Sequence, residues 1–160
     1  MPRMAADIHG FLRKKTVDAT NDYVSDLKAL THDQLNTSPG GGARTAYDFT
    51  LEIVQVNERI AKRLRGEVPP PPGEGWTVAP AEFQNKGVAI DAVTASGDAV
   101  VAAWDALPPG EMDKEIVLSS GAKMTPMDLM YLASVHLRYH GAQLNYLQSM
   151  VGDTEIHWGR

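Results

Sequence analysis

Apolar residues recur at helical spacing in separate stretches of this chain, and little alternates with a period of two. From Ile8 to Leu30 the apolar positions are Ile8, Phe11, Leu12, Val17, Val24, Leu27 and Leu30. Arg13, Lys14, Lys15, Asp18, Asp22 and Asp26 fall on the other side, as an ordinary solvated face. From Thr45 to Arg65 the stripe is Phe49, Ile53, Val56, Ile60 and Leu64. From Pro80 to Leu107 it is Phe83, Val88, Ile90, Val93, Val100, Val101 and Trp104, with Gly87 and Gly97 as the places where this helix would break. Thr125 to Val151 completes the set as one long helix. Thr45 and Thr125 each open a capping box with Asp48 and Asp128, and Pro126 stands at the first helical position. Gly66 and Gly152 follow the helix ends. Four amphipathic helices without strand–helix alternation predict an all-α fold, a four-helix bundle with long connections in a single domain over 1–160.

The connections are distinct in composition. Thr31-His32-Asp33-Gln34 would cap a short extra turn. Ser38-Pro39-Gly40-Gly41-Gly42 is a loop; it lacks the Lys-Ser/Thr ending of a phosphate-binding loop, and no strand precedes it. Pro69 to Pro72 favours extended polyproline backbone. Trp76, just beyond, is expected to plug this loop onto the body, the other reading being the mouth of a pocket. Glu115 to Leu118 followed by Ser119-Ser120-Gly121 reads as a short hairpin or an extended excursion. In the tail, Ile156 and Trp158 are expected to pack back onto the body and His157 to pack with them, its other readings being a further ligand or an intersubunit contact. His9 and His32 have no partner at ligand spacing and read as surface residues.

Composition narrows the chemistry. There is no cysteine, so disulfides, thiolate metal sites and cysteine nucleophiles are excluded. The net charge of −5 argues against nucleic acid as a partner. No long uninterrupted apolar run suggests a membrane span, and Met1 to Asp7 lacks the apolar core of a signal peptide. A cytoplasmic location is the expectation.

Candidate chemistry concentrates on the last helix. His136 and His140 are one turn apart, so both imidazoles sit on one side and reach a common point. Such a pair binds a metal, or is a polar flank, or is a pair of buried, hydrogen-bonded imidazoles. Gln143 follows near the same face. In the second helix, Glu52 lies inside the apolar stripe between Phe49 and Val56. A carboxylate there must be paired, protonated or bound to a cation, unless it reaches solvent or an arginine at the edge of the stripe.

With these residues in place, the chain resembles the DinB-like (DinB/YfiT) superfamily over almost its whole length. The family pattern in the last helix is His, three residues, His, two residues, Gln-Leu, an aromatic–Leu pair and a terminating Gly. Here it is met by His136, His140, Gln143-Leu144, Tyr146-Leu147 and Gly152. The family's second helix opens with a Ser/Thr cap and carries a His seven residues on; here Thr45 is followed at that distance by Glu52. The resemblance implies a four-helix bundle with a three-ligand metal site, altered at one ligand to Glu52, His136 and His140. That set suits a divalent metal ion such as Zn, Ni, Fe or Mn. Gln143 would support a ligand, and Asn57, Tyr47 and Tyr139 are candidate pocket positions. The implied activity is hydrolase-like or low-molecular-weight-thiol S-transferase chemistry on a small-molecule substrate, in a homodimer. No separate general base can be identified. The alternative is a non-catalytic, stress-related ligand-binding bundle whose metal site Glu52 has retired, with Glu52 bonded to a protonated histidine.

Overall fold

The computed structural model describes residues 7–108 and 110–159. The reading of Met1 to Asp7 falls, for Met1 to Ala6, outside the described residues. Within them are α1 (Ile8–Ala29), α2 (His32–Leu35), α3 (Ala46–Leu64), α4 (Lys86–Asp105), β1 (Ile116–Val117), β2 (Lys123–Met124) and α5 (Pro126–Met150). The four long helices are the expected bundle.

Each start is fixed by its own sequence. Thr31, Thr45 and Thr125 close capping boxes with Gln34, Asp48 and Asp128, so two otherwise orphaned backbone N–H groups are satisfied at each end. Asp7 caps α1 and Asn85 caps α4. α4 therefore starts later than the sequence suggested. Pro80 to Gln84 instead form a turn, with Phe83 and Gln84 N–H donating to the Pro80 carbonyl.

The packing order around the bundle is α1, α5, α3, α4, closing back on α1. One core groups Leu27 of α1 and Leu30 at its C-cap with Tyr47, Phe49 and Ile53 of α3, Ala89 and Val93 of α4, and Leu137 and Leu144 of α5. The other groups Leu12 with Ile60, Leu64, Val100, Trp104, Leu129 and Met130. The end of α1, the starts of α3 and α4 and the end of α5 thus share one end of the bundle. α1 and α5 run one way, α3 and α4 the other. Because α3 and α4 are parallel neighbours, residues 65–85 must return along the bundle's length. Extended prolines suit this return, since no helix can form there and the residues span distance economically.

Several positions depart from the sequence reading. Gly97 does not break α4. It is buried where α4 meets α1, and a Cβ there would lie 2.7 Å from Thr20 Oγ1, so its smallness permits the close crossing. α4 is by length and composition apolar enough to cross a membrane, but Ala89, Val93, Val100 and Trp104 are all buried in the cores. Asp26 is not on a solvated face. It is 2% exposed, against α5 at Gly141, where a Cβ would lie 3.9 Å from its Oδ2. His9 is not a free surface residue: its ring stacks on Trp104 at 4.8 Å, and the Trp104 indole N–H donates to the His9 carbonyl. His32 is exposed, with Nδ1 3.0 Å from the Tyr47 hydroxyl. In the tail Ile156 and Trp158 stay largely exposed. Polar contacts hold it instead: His157 Nε2 lies 2.8 Å from Asp153 Oδ2, and Gly159 N–H donates to Asp22. The hairpin forms as β1 and β2, antiparallel, pairing Ile116 with Met124.

Candidate metal centre

α5 carries His136 and His140 past the start of α3, where Glu52 faces them. His136 Nε2 lies 3.2 Å from His140 Nε2, 3.4 Å from Glu52 Oε1, and His140 Nε2 is 3.7 Å from that same oxygen. One potential ligand atom from each residue converges within 4.8 Å of the others, an arrangement that could hold a single metal ion. His140 is buried, whereas Glu52 and His136 are partly exposed, so the centre opens on one side.

The surroundings fix these side chains. The Phe49 ring stacks on the His140 imidazole at 5.2 Å, 6° from parallel, and Tyr139 meets it edge-on at 5.0 Å. His140 Nδ1 is 2.7 Å from Gln143 Oε1. An amide oxygen only accepts, so Nδ1 carries the proton and the Nε2 lone pair is turned toward the centre. On the other side the Arg44 guanidinium donates to Glu52 Oε2, leaving Oε1 for the histidines. Arg44 in turn lies under the Trp76 ring, 4.6 Å from its centroid.

Electrostatics completes the picture. Burial raises the Glu52 carboxyl, but the hydrogen bond and charge of Arg44, with the two histidines, outweigh it and hold the group below its usual range. Burial lowers both histidines; Glu52 works against this at His136, and His140 comes to rest at about 4. At neutral pH both imidazoles are therefore uncharged. Arg44 is the permanently charged partner of Glu52, and both histidines face its other oxygen, at 3.4 and 3.7 Å. Two neutral imidazoles and an ionised carboxylate form a ligand-ready N,N,O set. His136 Nδ1 is buried without a hydrogen-bond partner among the described residues. If both Nε2 atoms turn their lone pairs to a cation, Nδ1 carries the His136 proton. The residues present fit a divalent ion.

Not every expected residue joins the centre. A cavity of about 720 Å³ lies over it, lined by Arg44, Phe49, Glu52, Trp76, His136, Tyr139, His140, Gln143 and Tyr146 among others. Tyr139 and Gln143 are in that wall. Tyr47 is fully buried in the core, with its hydroxyl near His32, and does not reach the cavity. Asn57 is also buried and donates to Ser96 Oγ between α3 and α4. Both belong to the bundle interior, Tyr47 in the core cluster near α2 and Asn57 against α4. Trp76 is 75% exposed and forms the mouth of the cavity rather than a plug. Arg44 was missed. Its only signal was adjacency to the Thr45 cap, at the end of a glycine-rich loop with no other charge.

Two solved structures share this architecture. A conserved protein from Enterococcus faecalis superposes with a TM-score of 0.72 at 16% identity, covering 92% of this chain and 98% of its own. A DinB-like protein, YjoA, from Bacillus subtilis gives a TM-score of 0.69 at 18% identity, covering 94% and 99%. No curated protein sequence matches significantly. The sequence model of the DinB superfamily matches residues 15–144, which include all three members of the candidate centre, and the chain belongs to that superfamily.

Proposed function

We propose that this protein is a metal-dependent enzyme whose Glu52, His136 and His140 hold one divalent ion beneath an open cavity. The observation that carries this reading is the convergence of the two Nε2 atoms and Glu52 Oε1 at 3.2–3.7 Å, each on an uncharged imidazole or an ionised carboxylate. Such an ion would lower the pKa of a bound water or thiol and polarise an electrophile, the chemistry of a hydrolase or a low-molecular-weight-thiol S-transferase. The chain's own residues prepare that chemistry. Gln143 fixes the His140 tautomer, and Phe49 holds its ring plane. Arg44 keeps Glu52 ionised while occupying only one of its oxygens. Trp76, Tyr139 and Tyr146 shape the approach for a small molecule.

The second reading is a non-catalytic ligand-binding bundle. What favours it is the Arg44–Glu52 pair, which already neutralises the carboxylate without an ion. Metal analysis of purified untagged protein separates the two. About one equivalent of metal in the parent, absent from Glu52→Ala and His136→Ala, supports the enzyme and names the ion for screens with thiols and esters. A parent that takes up no Zn, Ni, Fe or Mn on reconstitution sinks it in favour of the binding module.

A further inference from the structure

Glu52 and Trp76 line two cavities of opposite character. On the histidine side the cavity of about 720 Å³ is walled by Phe49, Tyr139, Tyr146 and Leu147. On the proline side a cavity of about 590 Å³ is walled by Gln55, Glu58, Arg59, Lys62 and the Pro69–Gly75 loop. Both volumes suit a small molecule. Their linings do not suit the same one. Among the described residues lining the histidine side, the formal charges are Arg44 and Glu52, which are paired with each other. What remains is aromatic and aliphatic surface. Tyr139 and Tyr146 are 61% and 67% exposed and Trp76 is 75% exposed, an aromatic rim largely open to solvent although Trp76 stacks on Arg44 and Tyr139 meets His140 edge-on. Exposed rings of this kind attract flat apolar surface, by burial and by offset or edge-on stacking.

Resting on the metal reading above, we infer that the substrate has a ring-bearing apolar body lying between Trp76, Tyr139 and Tyr146, and one polar head directed at Glu52, His136 and His140. Trp76 divides this apolar chamber from the charged one, so the polarity of the body decides which side a molecule enters. Trp76 and Tyr146 are then specificity-determining residues.

The test uses two hydroxamates with the same metal-seeking head. 2-Naphthohydroxamate carries a flat ring body; acetohydroxamate has none. Dissociation constants are measured by calorimetry on zinc-loaded protein, with zinc affinity measured separately on the same samples. The expected result is at least tenfold tighter binding of the naphthyl probe. Tyr146→Ala and Trp76→Ala should each reduce that preference at least threefold, and Tyr146→Ala should leave zinc affinity unchanged. Equal affinities for the two probes, or a preference untouched by both variants, would overturn the inference. Failure of zinc to bind would strike the metal reading alone. The chamber is then judged in metal-free protein with 2-naphthol, followed by its own fluorescence. Saturable binding weakened by both variants sustains the apolar chamber, and no binding overturns it.

Discussion

Two carboxylates flank α5, and they have opposite fates. Glu52 approaches from α3 onto His140; Asp26 approaches from α1 onto the next residue, Gly141. Glu52 has Arg44 beside it and stays ionised below its usual range, although burial pulls the other way. Asp26 is pushed up to about 6, chiefly by burial and further by Asp22, with Asn145 and His157 opposing. Asp26 Oδ1 has no hydrogen-bond partner among the described residues. Burial alone thus does not decide what a carboxylate becomes. A cation placed on one oxygen keeps a partly buried acid ionised; without one, the acid costs stability whenever it ionises.

The contrast can be broken most severely at the centre itself. His140→Ala should abolish metal binding outright while Asp26→Asn leaves the stoichiometry intact, as read by metal content after reconstitution. Next in size is Gln143→Leu, which removes the acceptor for His140 Nδ1–H. Metal affinity should weaken about 10–100-fold, measured by competition with a chelator.

A smaller effect sharpens the Asp26 side. Its folded pKa lies above the unfolded value of 3.8, so the native state holds the proton more tightly and stability falls as pH rises through about 6. Asp26→Asn should therefore stabilise the protein at pH 8, on the order of 1–2 kcal/mol, with the gain shrinking below pH 6. Urea denaturation at pH 8 and pH 5 measures this. His140 has the reverse sign. Its folded value of about 4 lies below the ordinary 6.5, so the unfolded chain takes up the proton first, and stability is lost as pH falls from about 6.5 toward 4. The smallest effect expected is from Thr45→Ala, which removes the α3 cap. It should cost about 1 kcal/mol in the same denaturation experiment without changing metal stoichiometry.

Much of this was legible in the sequence because helices are local objects. The apolar stripes, the Thr caps and the Gly stops each act within a few residues, and the four long helices lie close to where they point. Glu52 stood out because a carboxylate on an apolar stripe demands an explanation, and the His136–His140 spacing is itself a geometric statement. What escaped depends on partners distant in the chain. Asp26 looked solvated because helical periodicity cannot say that Gly141, with no side chain, lets α5 close over it. Tyr47 and Asn57 looked able to reach a pocket, since a sequence does not reveal which neighbour an inward face meets. Arg44 belongs to a loop, and loop conformation has no period to read. Trp76 took its place only once the chain's return along the bundle was known.

The capping boxes have a consequence for how this fold tolerates change. Glu52 is seven residues from the Thr45 cap, about 20° short of two full turns, and His136 is eleven residues from the Thr125 cap, about 20° past three. The angular bearing of each candidate ligand is thus referred to a start signal on its own helix. Insertions in the loops, as far as residue 43 or between Gly110 and Thr125, change the route of the chain but leave those bearings untouched. One residue added within either helix, between cap and ligand, would swing the ligand by about 100°. Evolution and the protein engineer are thereby given the same map: added length leaves the bearings intact in those loops and rotates them inside two intervals, Thr45 to Glu52 and Thr125 to His140.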